Sequence, residues 1–268
     1  MNKKITIGIT SCGRYKLLKK TIISLGKNIN LSEYKKIITE DSTKKSHIKK
    51  IIKENKNGFL KGWDLIYTSG SKQQGALEKL YKNINTPYIF HCEDDWFFKK
   101  VDFNFFDISI NLLEKNKNIG IVQLRDFKKD GGLKLLDKEE NERYNELFSN
   151  EKIVENNLEF IYFRNDEKGD LCKGFSYNPG MRRTEEMKKI MFGYENYVDE
   201  FAIGTRFKNL GLRGVNLKNG IIIHIGNSFL STRFKSLFDE GFIIGIKKVI
   251  IGTIKYRVGL LSKYLRKG

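Results

Sequence analysis

The sequence YIFHCEDDW, residues 88–96, decides the fold. Its first five residues form a short, mainly apolar run, which is typical of a strand buried in a parallel sheet. Three consecutive carboxylates, residues 93–95, follow that run directly. Because like charges repel, such crowding indicates a divalent cation, nearby hydrogen-bond donors or a solvated acidic turn. Mg²⁺ and Mn²⁺ take oxygen ligands and share them with substrate phosphates, so metal–phosphate chemistry is one prediction for this segment.

Strands and helices alternate on the N-terminal side of this segment. Apolar runs predict strands at residues 5–10, 34–39 and 65–68, and apolar side chains at helical spacing predict helices at 14–26, 46–55 and 72–83. This alternation predicts an α/β fold with a mostly parallel sheet flanked by helices. In such sheets ligands bind where the carboxyl ends of the strands meet. We therefore expect Thr10, Glu40, Asp41 and the 93–95 carboxylates to line one crevice.

Composition and motifs exclude several protein classes. Of the 268 residues, 40% are hydrophobic and 12% aromatic, so the chain can bury a substantial core and is not a disordered protein. Its cysteines, Cys12, Cys92 and Cys172, form no CxxC pair, which favours a reduced cytoplasmic compartment over a disulfide scaffold or a zinc ribbon. P-loop, GxGxxG, HExxH and GxSxG motifs are absent from the sequence. No N-terminal targeting segment is predicted, because the first strand begins almost at once.

The net charge of +18 comes from the two ends of the chain. Residues 1–61 carry 16 basic and 4 acidic side chains, residues 233–268 carry 9 and 2, and the middle is nearly balanced. A strong positive charge is typical of proteins that bind nucleic acid or an anionic membrane. Most of the basic residues are Lys, however, which also fits a general enrichment of the sequence in Lys that is unrelated to any ligand. The balanced middle, which holds the carboxylates, argues against nucleic acid as the partner.

The C-terminal segment predicts a basic helical extension. Residues 241–265 mix apolar side chains with cations, and no uninterrupted apolar run approaches the roughly 20 residues that span a bilayer. A basic, partly amphipathic helix of this kind lies in the interface of an anionic membrane. The alternative is a helix docked on its own domain. We predict a domain at residues 1–228 and an extension at 229–268, with the protein peripheral on the cytoplasmic face of the membrane.

Seven segments in order carry a family resemblance. They are residues 5–14 (ITIGITSCGR), 40–42 (EDS), 73–76 (QQGA), 93–95 (EDD), 175–183 (FSYNPGMRR), 195–211 (ENYVDEFAIGTRFKNLG) and 221–228 (IIIHIGNS). Together they resemble the GT-A glycosyltransferases of family 2 over residues 4–228. The resemblance implies a GT-A-type sheet and an enzyme that moves a sugar from a nucleotide-sugar donor, with UDP as the expected nucleotide.

The resemblance also implies roles for single residues in donor binding. Thr10 and Asp41 would hold the nucleoside base, with Lys72 or Gln73 nearby. Asp94 would approach the ribose.

Three further residues concern the metal. The resemblance implies that Asp95 binds the Mn²⁺ or Mg²⁺ ion that bridges the diphosphate. Glu93 stands where the family usually has Asp, and we group it with the donor-binding residues. His224 lies in an apolar run, where it is either a hydrogen-bonded structural residue or, as the resemblance implies, a ligand that completes the metal shell.

The acidic pair at 199–200 is the candidate catalytic base. The order Asp199 then Glu200 reverses the family's usual order, and counting back from Arg206 and Gly211 puts Glu200 at the base position, with Asp199 as the alternative. A base is needed because the acceptor hydroxyl must lose a proton as it attacks the anomeric carbon. One base without a nucleophile implies direct displacement and inversion. Without a function, both acids would simply face the dipole of a helix N-terminus.

Arg182 and Arg183 follow a Pro-Gly turn, where guanidinium groups suit the phosphates of the donor. Their alternative is a role as solvated surface charges.

The predicted function is therefore an inverting, metal-dependent glycosyltransferase with a glycan or lipid-linked acceptor. The rival hypotheses are a nucleotidyltransferase on a related sheet, a basic nucleic-acid-binding protein and an inactive sugar- or lipid-binding relative. A nucleotidyltransferase normally needs a phosphate loop after its first strand, and residues 11–14 (SCGR) are a poor version of one.

Overall fold

The computed structural model describes residues 2–128, 140–165, 174–193 and 200–226. Asp199 and the predicted extension at 229–268 lie outside this part of the chain. The described strands are β1 (Asn2–Ser11), β2 (Tyr34–Glu40), β3 (Asp64–Tyr67), β4 (Tyr88–Glu93), β5 (Trp96–Phe98), β6 (Ile119–Gln123), β7 (Phe148–Glu155), β8 (Leu158–Phe163), β9 (Gly180–Arg183), β10 (Arg213–Leu217) and β11 (Ile222–His224). The described helices are α1 (Tyr15–Gly26), α2 (Lys45–Asn57), α3 (Lys72–Lys82), α4 (Phe105–Lys115), α5 (Glu140–Leu147), α6 (Thr184–Met191) and α7 (Glu200–Asn209).

Nine of the described strands form one sheet in the order β3-β2-β1-β4-β9-β6-β10-β8-β7. The first four strands of this order are parallel, as is the β6–β10 pair. Strand β9 is antiparallel to both of its neighbours, and β8 is antiparallel to β7 and β10. The fold is the expected α/β sheet flanked by helices, with a mixed half beyond β4.

Helices cover both faces of the sheet because side chains alternate along each strand. On β4, Phe90 packs with the core residues of α1 and α4, whereas Ile89 packs on the opposite face with those of α3, α6 and α7. Ile38 and Ile37 of β2 divide between the two faces in the same way. The sheet is therefore the middle of three layers, and its strand ends are free to carry polar groups.

The predicted helices and strands between residues 5 and 92 match the structure to within three residues at each end, the largest difference being the earlier start of β1 at Asn2. Within the segment at 175–183, a strand forms only at Gly180–Arg183. Pro179 has no amide to contribute to a ladder, which ends the strand there. Gly180 is required at the strand start, since a Cβ atom there would lie 2.6 Å from the carbonyl oxygen of Val122.

A second, two-stranded sheet lies after the acidic segment. Strand β11 pairs antiparallel with β5, so that His224 is opposite Trp96. Ile221 also accepts a backbone hydrogen bond from Lys99, which continues this pairing. The small sheet therefore brings a late strand next to the residues that follow β4. In the part of the chain that the structure describes, no helix combines the length and apolar character that crossing a membrane requires.

Candidate active site

The candidate site lies at the carboxyl ends of β1, β2 and β4. Thr10 is buried in β1, in register with Thr39 of β2 on one side and Glu93 of β4 on the other. Ser11 is likewise in register with Glu40. The parallel pairing thus collects polar side chains from three strands at one edge, as the strand–helix alternation predicts.

Asp94 is buried beneath the loop that follows β1. Its Oδ2 atom accepts a hydrogen bond from the Ser11 hydroxyl at 2.9 Å and one from the Cys12 amide at 3.4 Å. Its Oδ1 atom is paired with the guanidinium of Arg14. Burial raises the pKa of Asp94 to about 6, although Arg14 and the Ser11 hydrogen bond act in the opposite direction. In this structure Asp94 therefore anchors the loop after β1, and its predicted contact with a ribose stays a prediction.

Arg14 is the last residue of the 5–14 motif, and no role was predicted for it from the sequence. It follows the loop after β1 and precedes α1, and its Nη1 atom donates to Oδ2 of Asp95 at 2.6 Å. Together with its contact to Asp94, this places one guanidinium across two adjacent carboxylates. Crowded carboxylates repel each other unless a positive charge is nearby. Arg14 supplies such a charge to Asp94 and Asp95 from within the chain. The feature of the sequence that could have predicted this contact is a basic residue, Arg14, close behind the first strand.

Asp95 and His224 face each other. The Nε2 atom of His224 lies 3.1 Å from Oδ2 of Asp95, and its ring packs against Trp96 with the centroids 4.8 Å apart. Burial tends to raise the pKa of Asp95, but the His224 hydrogen bond and the charge of Arg14 outweigh it and lower that pKa below its ordinary value. Asp95 is therefore an ionised carboxylate, and the imidazole of His224 lies next to it.

The Asp95–His224 pair fits the ligand chemistry of a divalent cation only in part. The buried Oδ1 atom of Asp95 has no hydrogen-bond partner among the described residues, and a carboxylate oxygen with an imidazole nitrogen suits Mn²⁺. In the same residues, however, no cluster of three or more His, Cys, Asp or Glu side chains is arranged to hold an ion. A cation bound here would thus need ligands beyond these two side chains.

Glu93 is the first of the three consecutive carboxylates at 93–95, and its side chain contacts α3. Its Oε1 atom accepts a hydrogen bond from Nε2 of Gln73 at 3.0 Å. Burial, followed by the negative charge of Asp95, raises the pKa of Glu93 to about 7, and the charge of Glu200 adds to this effect. Glu200 is therefore close enough to influence Glu93, so the structure brings α7 to the same crevice as β4.

Asp41 organises the start of α3. Its two carboxylate oxygens accept hydrogen bonds from the backbone amides of Ser71 and Lys72, at 2.8 and 2.9 Å, and from the hydroxyl of Thr68. A carboxylate at a helix N-terminus is favourable because it meets amides that have no partner within the helix. The structure thus gives Asp41 a local structural role, and it places the exposed side chains of Lys72 and Gln73 beside it. Contact with a nucleoside base stays a prediction for all three residues.

Thr21 is a second residue that the sequence analysis missed. It is fully buried in α1, and its hydroxyl donates to the carbonyl oxygen of Asp94 at 2.9 Å and accepts from the amide of Trp96 at 3.0 Å. One side chain of the first helix therefore fixes the backbone on both sides of Asp95. Its position in a helix that the sequence predicts gives no sign of this contact, since a buried Thr there is equally consistent with packing.

Glu200 is the first residue of α7 and is half-buried. Its Oε1 atom accepts a hydrogen bond from the backbone amide of Tyr177 at 2.7 Å. Asp199, the alternative base, lies outside the described residues. A half-buried carboxylate near Glu93 can accept a proton, which is the chemistry expected of Glu200.

The structure gives the two predicted phosphate-binding arginines partners within the protein. Arg182 is fully buried, and its Nη2 atom donates to the carbonyl oxygens of Ser176 and Asn178. Arg183 is bound to the carboxylate of Glu186, at 2.8 and 2.9 Å, and to backbone carbonyls that include that of Ile119. Neither residue is therefore a solvated surface charge, and contact with the phosphates of a donor stays a prediction for both.

No model of a known protein family matches the chain, and no curated protein sequence matches it either.

Solved structures do resemble it. The structure of S. aureus TarS 1–349 in complex with UDP-GlcNAc superposes with a TM-score of 0.56 at 13% identity, over 84% of this chain and 59% of that one. The mannosyltransferase PcManGT from Pyrobaculum calidifontis, in complex with GDP-Man and Mn²⁺, gives a TM-score of 0.56 at 10% identity, over 92% of this chain and 64% of that one. The chain thus spans about 60% of the length of the solved structures it matches. At this level of identity the likeness shows the fold, and the chain has the GT-A-type fold that its sequence motifs predict.

Proposed function

We propose that the protein is a glycosyltransferase that moves a sugar from a nucleotide-sugar donor to an acceptor hydroxyl. The observation that carries the proposal is the placement of Asp95, His224 and Glu200 around the carboxyl edge of a GT-A-type sheet. The resembling structures support it, since TarS is solved with UDP-GlcNAc and PcManGT with GDP-Man. UDP is the nucleotide that we expect here.

Asp95 and His224 are the residues that would hold Mn²⁺ or Mg²⁺. They offer one oxygen and one nitrogen ligand, and the substrate's phosphates would supply the rest. A divalent cation bound there would offset the charge of the departing nucleoside diphosphate as a Lewis acid. Asp94 holds the loop after β1 in place through Ser11, directly next to Asp95 in the sequence.

Glu200 is the residue that we assign as the base. Its carboxylate is anchored by the Tyr177 amide on Oε1. It would take the proton of the acceptor hydroxyl as that oxygen attacks the anomeric carbon. Because one base acts without a protein nucleophile, the sugar would be transferred with inversion.

The acceptor and its location follow from the charge at the chain's C-terminus. Residues 233–268 carry 9 basic and 2 acidic side chains, which favours an anionic membrane surface over a neutral one. We propose a glycan or lipid-linked acceptor at the cytoplasmic face of the membrane.

The test measures nucleoside diphosphate release from a panel of UDP- and GDP-sugars in the presence of Mn²⁺. We expect turnover by the wild type, a loss of about 10²–10⁴-fold for Glu200→Gln, and loss of metal-dependent turnover for Asp95→Ala. Glu185→Gln is the matched control, since Glu185 is largely exposed on α6 and is paired with Lys188. Undiminished turnover in both site variants contradicts the assignment. Release of pyrophosphate in place of a nucleoside diphosphate indicates a nucleotidyltransferase.

A further inference from the structure

Arg182 lies in the middle of the sheet and is fully buried. It belongs to β9, where Ile89 and Ile121 are its register partners on the two neighbouring strands. A buried cation needs hydrogen-bond acceptors to offset the loss of water. Arg182 finds them in the loop before its own strand, because Nη2 donates to the carbonyl oxygens of Ser176 and Asn178 at 2.7 and 2.8 Å.

The residue between those two carbonyls contacts Glu200. The amide of Tyr177 donates to Oε1 of Glu200 over 2.7 Å. The ring of Phe175, in the same loop, packs edge-on against Phe207 of α7 with the centroids 5.7 Å apart. The loop at 175–178 therefore joins the buried guanidinium on one side to Glu200 and Phe207 of α7 on the other.

The carbonyl groups of Ser176 and Asn178 are the acceptors that hold the Arg182 guanidinium in place. In the described part of the chain no carboxylate forms an ion pair with it. Burial, followed by the positive charge of Arg182, holds the pKa of the nearby His91 well below its usual value, so this imidazole is neutral. His91 in turn packs edge-on against the ring of Tyr177, with the centroids 6.4 Å apart. Both residues thus hold the same loop from the interior of the protein.

We propose that Arg182 is a positioning residue for Glu200. It fixes the carbonyl groups on both sides of Tyr177, and this directs the Tyr177 amide at the Glu200 carboxylate. The inference rests on the proposed function of Glu200 as the base. It gives Arg182 a role in proton transfer in place of the donor-phosphate contact that its sequence position suggests.

The first experiment separates this role from phosphate binding. Arg182→Met keeps an unbranched side chain, shorter than that of Arg, but removes both hydrogen bonds, and Arg182→Lys keeps a donor for the same carbonyls. UDP binding in the presence of Mn²⁺ is measured by calorimetry. We expect affinities close to that of the wild type for both variants, because Arg182 is fully buried and its hydrogen bonds go to carbonyl groups of the protein. A clear loss of UDP affinity in both overturns the proposal, since a guanidinium that contacts the donor would produce it.

The second experiment tests the connection to Glu200. We expect Arg182→Met to lower kcat by about 10–100-fold with little change in the donor KM, because a misplaced catalytic group costs that much. Arg182→Lys should recover part of the loss. In a Glu200→Gln background, Arg182→Met should cause no further loss, whereas an unrelated structural defect would add its own. Arg213→Met, which removes a paired arginine of β10, is the control for general damage to the sheet.

A third measurement does not depend on turnover. Hydrogen exchange of the 174–178 amides should become faster in Arg182→Met and in Glu200→Ala, but not in Arg213→Met. Absence of any sugar transfer by the wild type would refute the proposed function, and exchange would still test the hydrogen-bonded link. Unchanged exchange in Arg182→Met overturns the positioning role whatever the activity shows.

Discussion

The Arg14 guanidinium donates a hydrogen bond from Nη1 to Oδ2 of Asp95 over 2.6 Å. The same side chain also pairs with Asp94, so one guanidinium bridges two adjacent carboxylates. We therefore expect the divalent cation proposed above to compete with Arg14 for Asp95.

Replacing Arg14 tests this competition. Because Arg14→Gln leaves two adjacent carboxylates without a cation, we expect a lower melting temperature in metal-free buffer. The loss should be smaller than the 3–5 kcal/mol of a fully buried ion pair, since the Arg14 side chain is about one-third exposed. Binding of Mn²⁺ alone, followed by electron paramagnetic resonance, should become tighter. Arg14→Lys is the control, and weaker Mn²⁺ binding by Arg14→Gln would contradict the competition.

The Thr21 hydroxyl should be worth more than its size suggests. Thr21→Val is nearly isosteric but leaves the Asp94 carbonyl and the Trp96 amide buried without their partner. An unsatisfied buried group costs about 1–3 kcal/mol, so we expect the free energy of unfolding in urea to fall by that order. Thr21→Ser keeps the hydroxyl and should lose much less. Equal losses in the two variants would show that the methyl group matters, not the hydrogen bonds.

Asp41 should prove important for stability as well as for donor binding. Asp41→Ala removes the acceptor for the Ser71 and Lys72 amides at the start of α3, a change that resembles the loss of a helix cap and costs about 0.5–2 kcal/mol. Asp64→Ala, at an exposed strand start, is the matched control. Chemical denaturation measures the difference. Unchanged stability in Asp41→Ala would argue that the helix start does not need this carboxylate.

A hydrogen bond between α1 and α2 should be visible in an alkaline titration. The Tyr15 hydroxyl donates to Oε1 of Glu54 over 2.6 Å, and this bond is the main reason that the pKa of Tyr15 rises to about 12. An acid with a raised folded-state pKa binds its proton more tightly when folded, so its stabilising effect is complete below pH 10 and is lost as the pH rises towards 12.

The difference in tyrosinate absorbance between the wild type and Tyr15→Phe reports the ionisation of Tyr15, and it should therefore appear near pH 12. In the Glu54→Gln background the same difference should move towards the ordinary tyrosine range. A Tyr15 that ionises normally in the wild type would show that the hydrogen bond is not formed in solution.

The C-terminal charge predicts membrane binding that salt weakens. Flotation with anionic vesicles should recover the full chain, and removal of residues 233–268 should abolish recovery, because the electrostatic attraction of 9 basic side chains is lost. Neutral vesicles serve as the control. Full recovery of the truncated chain would show that the segment is not the anchor.

The sequence predicts the first half of the fold well, and the reason is periodicity. Runs such as residues 5–10 and 88–92 are apolar on both faces because helices cover both sides of the parallel strands. The rule for parallel sheets then brings Thr10 and Glu93 to one edge without any knowledge of side-chain contacts.

The contacts within the site could not be predicted in this way. Thr21 and Asp94 are 73 positions apart, and their hydrogen bond depends on how α1 lies against the acidic segment. Arg182 was expected to contact the donor phosphates or, as the alternative, to be a solvated charge, because a charge is rarely buried. Its burial depends on two carbonyl groups of an irregular loop, and no periodic pattern reports where such a loop directs its carbonyl oxygens.

The position of β9 has a consequence for folding during synthesis. Gly180–Arg183 is made late, yet it lies between β4 and β6 and pairs with both. Of the described strands, those made before it can form a four-stranded sheet that ends at β4 and a separate β7–β8 hairpin, while β6 has no neighbour. A growing chain shorter than this point exposes an open strand edge in what becomes the centre of the protein, which is the kind of surface that favours aggregation.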